Sequence, residues 1–415
     1  MSSNNTPRMR FPGFEGEWKE KKLGEVTYWD KFFQGVPRQL QKKVIKYPYV
    51  LANVFSEIER KDGDVLLLST GNYVGWTTED LAGENLCEGE VVAIPWGGTA
   101  NVKYAKGKFV TADNRIATSS DTMMLNNKFL YYLMLSNQKI LDSFYRGAGL
   151  KHPSMFDVLN LHIYIPSLPE QQKIASCLTE MDNLIAAQGQ KVEALKEKKK
   201  GLMQQLFPQN GETTPRLRFP GFEGEWEEIK ISDILNERRE VSVITKDLPQ
   251  LSFTIADGVI WPEDRKTNQR DFLMSDKVSK KFSVTRLHDI IYNPANVVYG
   301  AIHKNNLCDG VVSPIYKIFW TRENADFVNY LVRRPIFISS LASHAEGTVT
   351  KLKTLKADAF LNMSVPFPKN PMEQQKIAEC FSTLDNLIAA ESNKFENLKS
   401  YKKGLMQQLF PQPVK

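Results

Sequence analysis

Residues 170–209 read EQQKIASCLTEMDNLIAAQGQKVEALKEKKKGLMQQLFPQ, and residues 373–412 read EQQKIAECFSTLDNLIAAESNKFENLKSYKKGLMQQLFPQ. The offset, 373 − 170 = 203, holds without a gap. At heptad spacing the first copy aligns Ile174, Leu178, Met181, Ile185, Gln188, Val192, Leu195, Lys199, Leu202 and Leu206. The second aligns Ile377, Phe381, Leu384, Ile388, Glu391, Phe395, Leu398, Lys402, Leu405 and Leu409 at the same steps. A seam of period 3.5 predicts a coiled coil rather than a globular surface helix. The polar breaks coincide as well, Gln188 with Glu391 and Lys199 with Lys402. A polar residue in a seam costs stability but can fix register. Two unrelated amphipathic helices would not share EQQKIA, DNLIAA and GLMQQLFPQ.

A second repeat opens each half. Residues 10–18 and 218–226 both read RFPGFEGEW, at an offset of 218 − 10 = 208. Since 208 differs from 203, the segments between the repeats differ in length. Pro12, Gly13 and Gly16 suit a turn-rich strap, with Phe11, Phe14 and Trp18 as its hydrophobic anchors. The chain is therefore strap, variable segment, helix, twice over. The expected domains are residues 1–169 with an opening strap at 7–18, a central helix at 170–209, residues 210–372 with a strap at 215–226, and a last helix at 373–415.

The variable segments share little sequence but follow one order of elements. Residues 64–69 and 91–96 read as buried strands, with shorter candidates at 109–112 and 115–117; residues 289–292 and 311–319 take that part in the second half. A helix follows in each, at 127–142 and at 323–341, the second broken or kinked at Pro335. A glycine-containing polar loop comes next, then a strand ending in proline, Pro166 or Pro366, that launches the long helix. The fold class expected is α+β. If both seams pair, a compact solution is an antiparallel coiled coil with a pseudo-two-fold internal repeat. At 1.5 Å per residue each helix is roughly 55 Å long. Two unlike domains on such a rod could read two short DNA sequences about one helical turn apart.

Composition narrows the alternatives. A chain of 415 residues with 42% hydrophobic and 25% charged residues can bury two or three cores. A net charge of +6 is compatible with nucleic acid without pointing to it. No apolar run reaches the length of a membrane span, and MSSNNTPRMR has no apolar signal-peptide core, so a reducing cytoplasm is the expected compartment. Cys87, Cys177, Cys308 and Cys380 form no CxxC pair; Cys177 and Cys380 sit one residue before seam positions and read as helix packing. The sequence holds no GxxxxGK[ST], GxGxxG or GxSxG, and its five histidines form no HExxH. Asn293-Pro294-Ala295-Asn296 lacks the second proline and the aromatic residue of the amino-methyltransferase motif, and reads as a turn. Neither a catalytic nor a metal site is expected.

The duplicated helices, the paired RFPGFEGEW straps and the unlike domains between them resemble the specificity subunit of a type I restriction-modification system, over nearly the whole chain. The resemblance implies two target-recognition domains separated by conserved helices that act as a ruler. Its implied partners are double-stranded DNA, two methylation subunits and optionally two restriction subunits. No cofactor belongs to this chain by that resemblance; the methylation subunit would use S-adenosylmethionine to modify adenine, and the restriction subunit ATP with magnesium. Glu170, Gln171, Gln172 and Lys173, with Glu373, Gln374, Gln375 and Lys376, would be docking residues for the methylation subunits; helix capping and solvation is the alternative. For DNA contacts, cationic and amide side chains after strands or in the glycine loops are the candidates. They are Asn101, Lys103, Lys106, Lys108, Arg115, Lys151 and His152 in the first domain. In the second they are Asn293, Asn296, Tyr299, His303, Lys304, Lys351 and Lys353. Lys42-Lys43 and Lys198-Lys199-Lys200 are weaker. The competing reading is a protein-interaction scaffold with two binding domains on a coiled-coil spacer.

Overall fold

A computed structural model describes residues 5–265, 280–344 and 354–411. The chain divides into two compact units. Unit 1 is Met1–Gly189 with Lys394–Lys415, and unit 2 is Gln190–Asn393. Both are mixed helix and sheet.

In unit 1 the sheet has six strands, ordered Thr27–Trp29, Asn114–Ser119, Cys87–Pro95, Lys103–Thr111, Val65–Leu68 and Val74–Thr77. All neighbours are antiparallel except Val65–Leu68 with Lys103–Thr111. The short strands expected at 109–112 and 115–117 are thus parts of longer ones. Strand alternation sends Val92 and Ile94 to one face, against helix Asn127–Ser136 (Phe129, Leu130, Leu133), and Val91 and Ala93 to the other, with Phe109, Ile45 and Tyr47. The helix expected at 127–142 is two, Asn127–Ser136 and Gln138–Ser143.

Unit 2 divides its strands differently. A four-stranded sheet runs Asn236–Glu237, Lys317–Trp320, Ile290–Tyr292, Ile302–Lys304, and a three-stranded one Val241–Ser242, Phe282–Thr285, Gly310–Val312. Residues 311–319, expected as one strand, therefore serve two sheets. Pro314 has no N–H for a ladder, and the Tyr316 N–H turns back to the Ser313 carbonyl at 3.2 Å. The expected break at Pro335 is present: one helix is Ala325–Val332, and the next, Pro335–His344, starts on the proline, where the missing N–H is harmless.

The repeated sequences build one frame in each unit. Strand Lys19–Lys22 pairs antiparallel with His162–Ile165, and Glu227–Lys230 with Ser364–Phe367. Trp18 and Trp226 are buried anchors, as expected, with Phe11 and Phe14 half-buried. The strap arginine does as much. Arg10 donates from Nε and Nη2 to the Glu170 carboxylate, both at 2.7 Å, and from Nη1 to the Gly16 carbonyl at 2.5 Å. Arg218 repeats this on Glu373 (2.7 and 2.9 Å) and on the Gly224 carbonyl (2.5 Å). Gly16 and Gly224 both stand at φ +80°, left-handed backbone that favours glycine. Gln171 accepts from the Asn126 N–H (2.8 Å) and donates to the Met124 and Pro166 carbonyls; Gln374 accepts from the Asn324 N–H (3.3 Å) and donates to Glu323 and the Pro368 carbonyl. Asn126 and Asn324 are themselves N-caps, accepting from Phe129 and Phe327 at 2.9 Å.

That network corrects the expected docking face. Glu170, Gln171, Glu373 and Gln374 are at most 1% exposed, because each carboxylate and amide is used inside its own unit. Of the eight residues only Gln172, Lys173, Gln375 and Lys376 reach the surface, and Lys173 and Lys376 lie 5.8 and 5.0 Å from the ring centres of Phe11 and Phe222.

The long helices are Leu168–Leu206 and Pro371–Leu409. All twenty seam positions are buried or half-buried. Within unit 1 the two helix segments run antiparallel, since Asp182 meets Lys402 while Gly189 lies against Phe395. Within unit 2 Lys199 meets Asp385 at 2.6 Å and Lys191 meets Glu391 at 2.5 Å. The seam lysines complete matched triads: the Tyr132 hydroxyl donates to Asp182 (2.7 Å), and the Tyr330 hydroxyl to Asp385 (2.8 Å). Each lysine lies 5.3 Å from the ring centre of its tyrosine. A lysine that pairs in one alignment only is a register device. The helix ends are core residues: Phe410 packs on Trp18 and Phe129 in unit 1, and Phe207 on Trp226, Phe327 and Phe381 in unit 2.

Candidate nucleic-acid interface

In unit 1 the backbone brings two glycine-containing loops together. The loop after strand Cys87–Pro95 (Trp96-Gly97-Gly98) meets residues 147–151, with the Gly98 N–H on the Lys151 carbonyl at 2.8 Å. A Cβ on Gly97 would come within 2.9 Å of the exposed Leu150 side chain, which shows how closely the two loops approach. Trp96 organises the cluster. Its ring lies 4.1 Å from the Arg115 guanidinium and 5.2 Å from the His152 ring, and its carbonyl is 2.7 Å from His152 Nδ1. Lys151 and Leu150 are exposed at the loop tip.

Several of the expected contact residues turn inward. Arg115 is buried, held by Asp113 at 3.1 Å with Asp30 at 3.9 Å, so it supports the Trp96 loop from beneath. Burial in the opposite direction raises Asp30 above the usual carboxylate range. Lys103 is buried, its ammonium on the Asn101 carbonyl at 3.3 Å, and desolvation lowers it to about 8. Asn101 is half-buried. Lys106 and Lys108 are exposed but face Glu90 (3.8 Å) and Glu79. Lys151 is thus the exposed cation of the expected first-domain set that faces no carboxylate among the described residues, with His152 half-buried beside it.

In unit 2, residues 293–301 form a loop between strands Ile290–Tyr292 and Ile302–Lys304. The Asn293 side chain accepts from the Ala295 N–H at 3.0 Å, and the turn Val297–Tyr299 ends on Gly300 at φ +88°. That leaves Tyr299 73% exposed at the tip, with Asn293 and Asn296 half-buried at its base. His303 and Lys304, expected as contacts, are buried. Lys304 is paired with Asp326, and His303 Nε2 is 2.8 Å from the Ile255 carbonyl. Desolvation, with Arg333 nearby, lowers His303 to about 4, so the ring is neutral. The Ile302–Lys304 strand is the edge of its four-stranded sheet, but helix Ala325–Val332 and strand Gly258–Ile260 pack against it and consume its side chains. Lys351 and Lys353 lie outside the described residues.

Among the described residues no group of three His, Cys, Asp or Glu side chains is placed to hold a metal ion, and no helix is long and apolar enough to cross a membrane. Sequence reasoning missed Arg10, Arg218, Tyr132, Tyr330, Asp182 and Asp385; their signal was identity at matched positions of the two halves.

Residues 15–197 match the family model described as the type I restriction modification DNA specificity domain. The chain is 23% identical over 344 residues to the type I restriction enzyme MjaVIII specificity subunit of Methanocaldococcus jannaschii, covering 78% of each. It is 22% identical over 417 residues to the putative MjaX specificity subunit of the same organism, covering 95% of this chain and 92% of that one. The chain is thus similar to type I specificity subunits over most of its length. The fold is shared with a solved structure: the S subunit of the type I restriction-modification system from M. genitalium aligns with a TM-score of 0.62 at 15% identity, covering 99% of this chain and 100% of that one. The strap–helix frame repeats in both halves, whereas the Trp96 loop and the Tyr299 loop have no counterpart in sequence.

Proposed function

We propose that this chain reads an asymmetric, two-part DNA site, one half by each variable domain, and that the long helices set the unread gap and dock two methylation subunits. Support comes from the family model matched by residues 15–197, which describes a DNA specificity domain. The observation that carries the finer reading is duplication with divergence. Arg10–Glu170 and Arg218–Glu373 hold the same frame, while the sheets and loops on that frame differ. An identical frame suits two identical partners; unlike loops suit two unlike half-sites. The reading takes residues 1–169 and 210–372 as the target-recognition domains and the helices as an antiparallel coiled coil, supported by the Lys402–Asp182 and Lys199–Asp385 pairs within the two units. Each helix has 39 residues, about 58 Å at 1.5 Å per residue.

With the carboxylates and first glutamines turned inward, the docking face proposed for the methylation subunits moves along the helix to repeated residues that are exposed. Leu184 (48% exposed) and Leu387 (40%) are the same residue of DNLIAA, each followed by exposed alanines. No catalytic step is assigned to this chain. S-adenosylmethionine would belong to the methylation subunits, and ATP with magnesium to restriction subunits.

The test is adenine methylation mapped across the genome of cells carrying this chain with its methylation subunit, against cells lacking only this chain. A two-part asymmetric motif that depends on the chain is expected. Loss of no motif, with the methylation subunit active and bound, would sink the reading. Exchanging residues 20–169 for another such domain should change one half-site only.

A further inference from the structure

We infer that residues 31–50 of unit 1 form a rigid phosphate-binding arch that docks this unit on the backbone of a DNA duplex. The inference rests on the DNA-reading function proposed above and assigns its electrostatic contact to a segment outside the loops described so far.

Charge is the first observation. Residues 31–50, KFFQGVPRQLQKKVIKYPYV, carry Lys31, Arg38, Lys42, Lys43 and Lys46 and no acid, and the next acidic residue is Glu57. None of the five is in an ion pair among the described residues. The contrast lies in the same domain, where Lys106, Lys108 and Arg115 all face carboxylates. Arg38, Lys42, Lys43 and Lys46 are exposed. A duplex carries dense negative charge, and cations already neutralised by protein carboxylates gain little from it.

Rigidity is the second. A charged tail would lose much conformational freedom on binding, but this segment is pinned at intervals by its own backbone and buried residues. The Ile45 N–H donates to the Trp29 carbonyl at 2.9 Å, so Val44 bridges the edge strand of the six-stranded sheet. The Val50 N–H donates to Thr111 at 3.0 Å. Gln41, 3% exposed, accepts from the Phe33 N–H at 2.9 Å and donates to the Lys31 carbonyl, closing the bend between. Leu40 is buried, and Tyr47 packs 5.3 Å from the Phe109 ring. Between these anchors the cations point out.

Aromatic seating is the third. Arg38 lies 5.7 Å from the ring centre of Phe32, Lys31 5.7 Å from Tyr49, and Lys43 5.4 Å from Tyr28. Phe32 and Tyr49 are 57% and 49% exposed. A cation held over a ring is oriented without being neutralised, which leaves its charge for a phosphate. Phosphate contacts fix the placement of a protein on the duplex and carry no sequence. The arch would therefore position the domain while the Trp96 loop region faces the bases.

The experiment compares the full chain, assembled with its methylation subunit, to a Lys42→Ala/Lys43→Ala/Lys46→Ala variant, on a duplex bearing the motif found by methylation mapping. Affinity is measured across a salt series. Each lost phosphate contact should reduce the slope of log affinity against log salt by about 0.9, or about 2.7 for all three, with thermal unfolding and assembly unchanged. A Lys61→Ala/Lys139→Ala control, at exposed cations outside the arch, should leave the slope alone. An unchanged slope in the triple variant, or an equal fall in the control, overturns the arch. Loss of assembly with the methylation subunit at an unchanged slope also overturns it, by making the surface a protein contact. If the unaltered assembly binds no duplex in a sequence-dependent way, the DNA-reading function itself fails, and that result is distinct from the others.

Discussion

Arg10 on Glu170 and Arg218 on Glu373 are the same joint made twice, down to the left-handed glycine whose carbonyl accepts from the arginine's Nη1. The sheets hung on these joints are not alike: among the described residues the largest is one of six strands in unit 1, against separate sheets of four and three in unit 2. The difference teaches where the fold is constrained. A buried carboxylate must keep its partner, so the joint admits few sequences. A sheet needs only alternation and closure, so the reading domains are free to change around a fixed frame.

The largest expected effect strikes the part both units share. Phe207→Ala removes a ring packed against three others, and Phe410→Ala the matching ring, each costing about 4 kcal/mol of unfolding free energy. The comparison predicts equal losses, measured by chemical denaturation; a loss confined to one variant would break the equivalence of the two frames. Next come Arg10→Met and Arg218→Met, each of which strands a buried glutamate, at about 3 kcal/mol. Adding Glu170→Gln to Arg10→Met should restore part of that loss.

A third prediction separates the units. His303 of unit 2 is buried, with its pKa lowered to about 4 from the ordinary 6.5. Protonation thus favours the unfolded chain: the stabilisation is complete above pH 6.5 and is lost as pH falls towards 4. Unit 2 should lose about 2 kcal/mol between pH 7 and pH 5 from this group. An imidazole NMR titration of His303 with a midpoint near 6.5 would remove the basis for it. The smallest effect sharpens the joints themselves. Trp226 Nε1 donates to Glu373 at 3.3 Å, whereas Trp18 Nε1 is buried without a partner among the described residues. Trp226→Phe should cost about 1 kcal/mol more than Trp18→Phe in thermal or denaturant unfolding.

The frame was legible in the sequence because repetition is a signal that needs no coordinates. The seam, the strap anchors Trp18 and Trp226 and the break at Pro335 were all readable from spacing and residue type. The docking residues were misread for a physical reason: Glu170 and Gln171 are polar, and polarity at a helix start looks like surface unless the buried arginine and the orphan N–H that they serve are known. Arg115, His303 and Lys304 were misread in the same way, since a cation after a strand gives no sign of whether a carboxylate or a carbonyl waits for it inside. Of residues 31–50 only Lys42-Lys43 was singled out, as a weaker candidate, because the value of the stretch depends on its being pinned in the fold.

What the sequence by itself determined is the plan: two straps, two seams, two unlike inserts, and a matched lysine in each seam. Periodicity and repetition are local properties of a chain, so they survive without a fold. Which polar groups face inward was decided only by the tertiary structure. Burial and pairing depend on residues far apart in the chain, 160 positions for Arg10 and Glu170 and 220 for Asp182 and Lys402, and only folding brings them together.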